Sequence, residues 1–124
     1  MAKILIYDHE YLFGSDFKKS LEMDGFSVQE TSRLSEVLQY ILKEKYDAAI
    51  LNLQTKNVDS TQVFSAIKMI DNKLQIIIVA DNEEPLSSVS SIIYEAFRYF
   101  RKPVDYKEIK DTIHKAVLIK SKNK

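Results

Sequence analysis

Short apolar runs punctuate the chain at residues 3–8 (KILIYD), 26–30 (FSVQE), 48–53 (AAILNL), 75–80 (QIIIVA) and 97–101 (FRYFR), about 25 residues apart. The first, third and fourth are almost continuously apolar, the pattern of strands buried on both faces. The second and fifth alternate apolar with polar, which predicts the edges of a sheet. Between the runs, apolar positions fall at helical spacing. Phe13, Phe17 and Leu21 form one stripe, and Leu34, Leu38, Ile41 and Leu42 a second. Val63, Ile67 and Ile70 form a third, Leu86, Val89, Ile93 and Ala96 a fourth, and Ile109, Ile113, Ala116 and Val117 a fifth.

Start and stop signals agree with these elements. Gly25 stands where the first helix needs a left-handed residue to end. Asp59 with Gln62, and Asp105 with Glu108, have capping-box spacing, and Pro85 suits the first turn of the fourth helix. Five strands alternating with five helices predict an α/β fold, a doubly wound parallel sheet covered on both faces. Function in such sheets gathers beyond the carboxyl ends of the strands. That rule selects Asp8, His9 and Glu10; residues 52–57; Ala80 and Asp81; and Lys102 with Pro103. Residues 1–119 are expected to form one domain. The basic tail at 120–124, with Lys120, Lys122 and Lys124, is expected to be disordered or the start of a linker.

Composition narrows the chemistry. At 124 residues the chain fits a single core. Lys+Arg 18 balance Asp+Glu 18, so the basic surplus that nucleic acid or an anionic membrane would require is missing. Without cysteine there is no disulfide, thiol nucleophile, zinc ribbon or iron–sulfur cluster. Two histidines, His9 and His114, cannot make a HExxH site, and two glycines, Gly14 and Gly25, cannot make a P-loop, GxGxxG or GxSxG turn. No apolar run approaches a membrane span, and the run 4–7 stops at Asp8, too early for a signal-peptide core. A cytoplasmic setting is expected.

The segments KILIYDHE (3–10), YDAAILNLQTKNVDS (46–60) and RYFRKPV (98–104), in this order and spacing, resemble a bacterial response-regulator receiver domain, the CheY-like phosphoacceptor module. The resemblance covers nearly the whole chain and implies strand order 2-1-3-4-5. It also implies a two-component signalling module rather than an enzyme. The family's chemistry uses an aspartate nucleophile, two acids that hold Mg²⁺, a hydroxyl and a lysine. Here Asn52 stands where the phosphoacceptor is expected, and His9 replaces the second acid beside Asp8. Ala80 replaces the hydroxyl residue, and the usual Pro-Gly of the loop reads Lys56-Asn57. Only Asp8 and Lys102 remain. An amide is not nucleophilic, so the resemblance implies a pseudo-receiver that acts by docking another signalling protein, with Mg²⁺ binding weak or absent and no other cofactor or metal.

Further expectations follow from the same resemblance. Lys102 should pair with Asp8 or with Asp81, which otherwise is a solvated loop residue. Tyr99, at the family's switch-aromatic position, should turn inward beside Ala80 or remain an exposed edge tyrosine. The Lys102–Pro103 bond should be cis. His9 is either a weak metal ligand or pH-sensitive charge, or a solvated loop residue; His114 should be structural or at the surface. The partner face of the family, its fourth helix, fifth strand and fifth helix, here offers Tyr94, Arg98, Arg101, Tyr106 and Lys110. Arg98 replaces an acid there, which argues against the salt bridges of DNA-binding family dimers, so a monomer or weak homodimer is expected. Two rivals stand beside this reading. One is an active receiver phosphorylated at Asp8, Glu10 or Thr55. The other is a flavodoxin-like FMN protein, for which the loop HEYLFG (9–14) lacks a Ser/Thr/Gly-rich phosphate cradle.

Overall fold

The computed structural model describes residues 1–53, 58–81 and 95–122. Strands β1 (Lys3–Asp8), β2 (Ser27–Thr31), β3 (Ala48–Asn52), β4 (Gln75–Ala80) and β5 (Arg98–Arg101) form one sheet in the order β2-β1-β3-β4-β5. Every pairing is parallel. The continuously apolar runs are the three inner strands and the alternating runs are the two edges, as burial on two faces against one requires.

Four helices lie among the described residues: α1 (Gly14–Met23), α2 (Leu34–Lys43), α3 (Val58–Ile70) and α4 (Tyr106–Lys122). The sheet's alternation splits the core in two. Leu5, Tyr7, Ala49, Leu51, Ile76 and Ile78 pack with Val37 and Ile41 of α2 and Phe64 and Ile67 of α3. Ile4, Ile6, Ala48, Ile50, Ile77 and Val79 pack with Phe17 and Leu21 of α1 and Ile109, Ile113 and Ala116 of α4. The stripes on α1 and α4 fall as the spacing predicts. On α2 and α3 they are rotated. Leu42 is 70% exposed while Val37 is buried, and Ile70 is 40% exposed while Phe64 is buried. Val37 with Ile41, and Phe64 with Ile67, define the buried faces, and Leu42 and Ile70 sit around the helix from them. The fourth stripe lies outside the described residues except for Ala96, which packs on the first cluster.

Helix ends follow local chemistry. Gly25 has φ 95°. It closes α1 with a Schellman pair, Gly25 N–H to Glu22 O (3.0 Å) and Phe26 N–H to Leu21 O (3.2 Å). Asp105 Oδ1 accepts from the N–H groups of Lys107 (3.0 Å) and Glu108 (3.3 Å), capping α4. The reciprocal half of that box is not made, because Glu108 pairs with Arg98 (3.7 Å). Asp59 falls inside α3, and its side chain, like Pro85, lies outside the described residues.

The last helix continues past residue 119 into the segment read as the tail. Helix α4 runs through Lys122. Lys120 Nζ reaches Asp71 Oδ2 and Tyr46 O, both at 3.4 Å. The Lys120 and Asp71 side chains are only 12% and 11% exposed. A helix already hydrogen-bonded in its preceding turns extends at small cost when its next residue finds a shielded partner.

Candidate functional site: a self-paired acidic crevice

The parallel registers bring the strand ends together. Asp8 pairs with Asn52, Asn52 with Val79, and Ala80 with Arg101. One rung further, Lys102 N–H donates to Ala80 O (2.9 Å), which fixes the start of the lysine beside β4.

Asp8 is nearly buried, at 6% exposure, and each of its oxygens is engaged. Oδ1 accepts from Leu12 N–H (2.9 Å) and from the Asn52 amide (3.1 Å), and Oδ2 from Phe13 N–H (2.8 Å). The carboxylate thus organises the turn that leads into α1, a turn that carries Tyr11 at φ 57°. Charge-assisted bonds to backbone N–H groups hold an anion well in such a place.

Asn52 is fully buried. Its Nδ2 donates to Asp8 Oδ1 and to Glu10 Oε1, each at 3.1 Å, while Oδ1 has no partner among the described residues. An ionised carboxylate only accepts, so the amide must turn its NH₂ toward both acids. Two bonds to charged acceptors, each worth roughly 1.5–3 kcal/mol, outweigh one orphaned oxygen at about 1–3 kcal/mol.

Glu10, selected from the sequence by its place just after the first strand and named as a possible substitute phosphoacceptor, is the residue that closes the crevice. Its carboxylate receives the Lys102 ammonium as well as the Asn52 amide. Those two hydrogen bonds, Lys102 first, hold its pKa below the ordinary 4.5 against the opposing effect of burial. Lys102 pairs with Asp81 too, at 3.0 Å. The Lys102 side chain is 16% exposed. Burial alone pulls the ammonium down, but the bonds and charges of Glu10 and Asp81 outweigh it and raise its pKa above 10.5. Lys102 therefore pairs with Glu10 and Asp81, and Asp8 is served by the amide and the backbone. The strand-end rule selects Glu10, but its partners Lys102 and Asn52 are set by the turn after β1 and could not be read from spacing.

His9 is half-buried. Its Nδ1 lies 3.0 Å from Asn52 O and its ring stacks on Tyr7, so it is not a solvated loop residue. His114, exposed at the surface, reaches Asp24 Oδ2 (2.8 Å) and packs against Phe26. The Lys102–Pro103 peptide is cis. Ala80 is fully buried. Tyr99 packs inward against the first core cluster, and its hydroxyl is shielded without a hydrogen-bond partner among the described residues.

The predicted partner face is divided. Arg98 is exposed, pairs with Glu108 and lies over the Phe100 ring at 5.2 Å; Arg101 is half-buried. Tyr106 and Lys110 turn to α1 instead. Tyr106 donates to Leu12 O (2.7 Å) and packs on Phe13 and Phe17, and Lys110 pairs with Asp24 (3.1 Å). Tyr94, Thr55, Lys56 and Asn57 lie outside the described residues.

The donor set does not fit Mg²⁺. That ion needs several hard oxygens in near-octahedral order, whereas the gap between Asp8 and Glu10 is filled by an N–H donor and Glu10 already holds an ammonium. Among the described residues no group of three acidic or histidine side chains is arranged to hold a metal. No helix among them is long and apolar enough to cross a membrane.

Likenesses to known proteins point one way. The chain is 26% identical over 119 residues to the sporulation initiation phosphotransferase F of Bacillus subtilis, covering 96% of each. It is 22% identical over 108 residues to the response regulator MprA of Mycolicibacterium vanbaalenii, of which it spans 47%. A receiver domain of a response regulator from Clostridium thermocellum superimposes with a TM-score of 0.84 at 25% identity over the whole of both chains. Residues 4–114 match the family described as response regulator receiver domain. The strand order, the acidic crevice and these likenesses agree: the chain belongs to the response-regulator receiver domain family.

Proposed function

We propose that this receiver domain signals by docking another signalling protein from a fixed conformation, without aspartyl phosphorylation. The observation that supports it most is Asn52. The amide occupies the end of β3, where the family's resemblance expects the phosphoacceptor, and is tied to Asp8 and Glu10. A carboxamide has no anionic oxygen to attack a phosphoryl group, and here its NH₂ faces the two nearest acids. The neighbouring parts agree. Ala80 brings no hydroxyl, Lys102 is neutralised by Glu10 and Asp81, and Tyr99 is packed inward. A crevice paired within itself holds one conformation, and the β5 edge that runs from it, with Arg101 half-buried and Arg98 exposed at the far end, is the face offered to a partner; arginine is a common interface anchor.

The test is intact mass after incubation with acetyl phosphate and Mg²⁺, for the parent beside Asn52→Asp. The parent is expected to gain no phosphate. A phosphoryl adduct on the parent, mapped to Asp8, Glu10 or Thr55, would overturn the proposal in favour of an active receiver with a substitute acceptor. Of those three, Asp8 has both oxygens engaged and Glu10 is held by Lys102, so neither is a free nucleophile.

A further inference from the structure

We propose that Lys102 is the resident cation of this crevice, a tethered ammonium that takes the place of a divalent ion and keeps Mg²⁺ out. The lysine leaves β5 at a position fixed by its backbone bond to Ala80 O (2.9 Å). Its Nζ then bridges Glu10, on the turn after β1, and Asp81, at the end of β4. One positive charge therefore links three strand ends, which is the task a metal performs in a cluster of carboxylates. The third acid, Asp8, is satisfied by two backbone N–H groups and by the Asn52 amide. Each carboxylate named here is thus served by a donor that belongs to the chain.

The chemistry favours the tethered ion. A group held next to its partner by the chain competes at an effective concentration of about the millimolar range or higher, without the loss of freedom that capture from solution entails. Mg²⁺ must also shed part of a tightly held water shell. It would further have to push the ammonium off Glu10 and reverse the Asn52 amide so that Oδ1, buried and without a partner among the described residues, faced the acids. Removing the ammonium while keeping the acids reverses the balance, since Glu10 and Asp81 then lack a counter-charge.

This inference rests on the crevice geometry, and its test reads cation binding rather than phosphate transfer, so it can fail while the docking proposal stands. Mg²⁺ is titrated into ¹⁵N-labelled parent and into Lys102→Met, and amide shifts of residues 8–13 and 52–53 are followed. The parent is expected to show no saturable shift in millimolar Mg²⁺, and Lys102→Met to bind at least about tenfold more tightly, the effect of deleting one like charge at contact distance. Should Lys102→Met not fold, Lys102→Gln keeps a hydrogen-bond donor without the charge and is expected to show the same gain. Saturable binding by the parent as tight as that of the variant would overturn the proposal. So would variants that fold and bind no better than the parent.

Discussion

Asn52 and Asp8, adjacent across the β1–β3 register, are joined side chain to side chain by a 3.1 Å bond from the amide to a nearly buried carboxylate. That bond sets the charge pattern of the whole crevice, since the same amide holds Glu10, and Glu10 in turn holds Lys102.

Replacing the amide by a carboxylate is therefore expected to destabilise the fold. Asn52→Asp places a third anion in a fully buried position against two others and adds no donor. The cost is about 2–4 kcal/mol at pH 7. The new carboxyl would have a folded-state pKa raised by burial and by its neighbours, so the deficit is present above that value and shrinks as pH falls through it. Urea unfolding of parent and variant at pH 7 and pH 5 checks both the size and the sign.

Tyr99→Phe is expected to be neutral or slightly stabilising. The hydroxyl is shielded and has no partner among the described residues, so its removal costs no hydrogen bond there and relieves a desolvation penalty of roughly 1 kcal/mol. A thermal melt showing a loss above about 1 kcal/mol would reveal a bond that the hydroxyl makes in solution.

The Glu10–Lys102 pair predicts a plateau in stability against pH. Glu10 is held below its ordinary 4.5, so its contribution is present above that value and is lost as pH falls through the lower folded-state value. Lys102 is raised above 10.5, so its contribution is present below that value and is lost as pH rises through the higher one. Glu10→Gln should lie below the parent by a constant amount between these limits and converge with it at acid pH. With the Glu10 side chain 42% exposed, screening limits the difference to about 0.5–1 kcal/mol. Melting temperatures of both proteins from pH 3 to pH 10 test it. Asp81→Ala, at a side chain 51% exposed, should lose only a few tenths of a kcal/mol.

Lys120→Ala is expected to cost roughly 1–2 kcal/mol. The change leaves Asp71, a carboxylate 11% exposed, without its ammonium and removes the donor to Tyr46 O. Chemical denaturation of the variant decides between this tether and an idle terminus, for which no change would be seen.

The sheet could be read from the chain because its inner strands have to be apolar on both faces, so β1 and β4 appear in the sequence with their observed bounds, and β3 within one residue. Helix phase was read less well. Leu42 and Ile70 have the hydrophobicity and near-helical spacing of core residues, but Val37 with Ile41 and Phe64 with Ile67 set the buried faces, and tertiary packing chose between the two phases. The crevice divided in the same way. Asp8, Asn52, Ala80 and Lys102 stand at strand ends, where position along the chain implies position in space. Glu10 is selected with them, but its pairing, like the reach of Lys120, depends on how a turn folds back and how far a helix continues, and those are set by tertiary partners distant in sequence.

Asp8 carries one more consequence. Its carboxylate shapes the backbone between β1 and α1 through Leu12 and Phe13, so an aspartate is needed there for architecture whether or not any phosphate is ever handled. Its place in the fold is secured by the turn and does not depend on any bound ligand. Counting retained acids in a receiver sequence therefore overstates how much of the reaction is left, unless the acids that hold the turn are first set apart from those that hold a ligand.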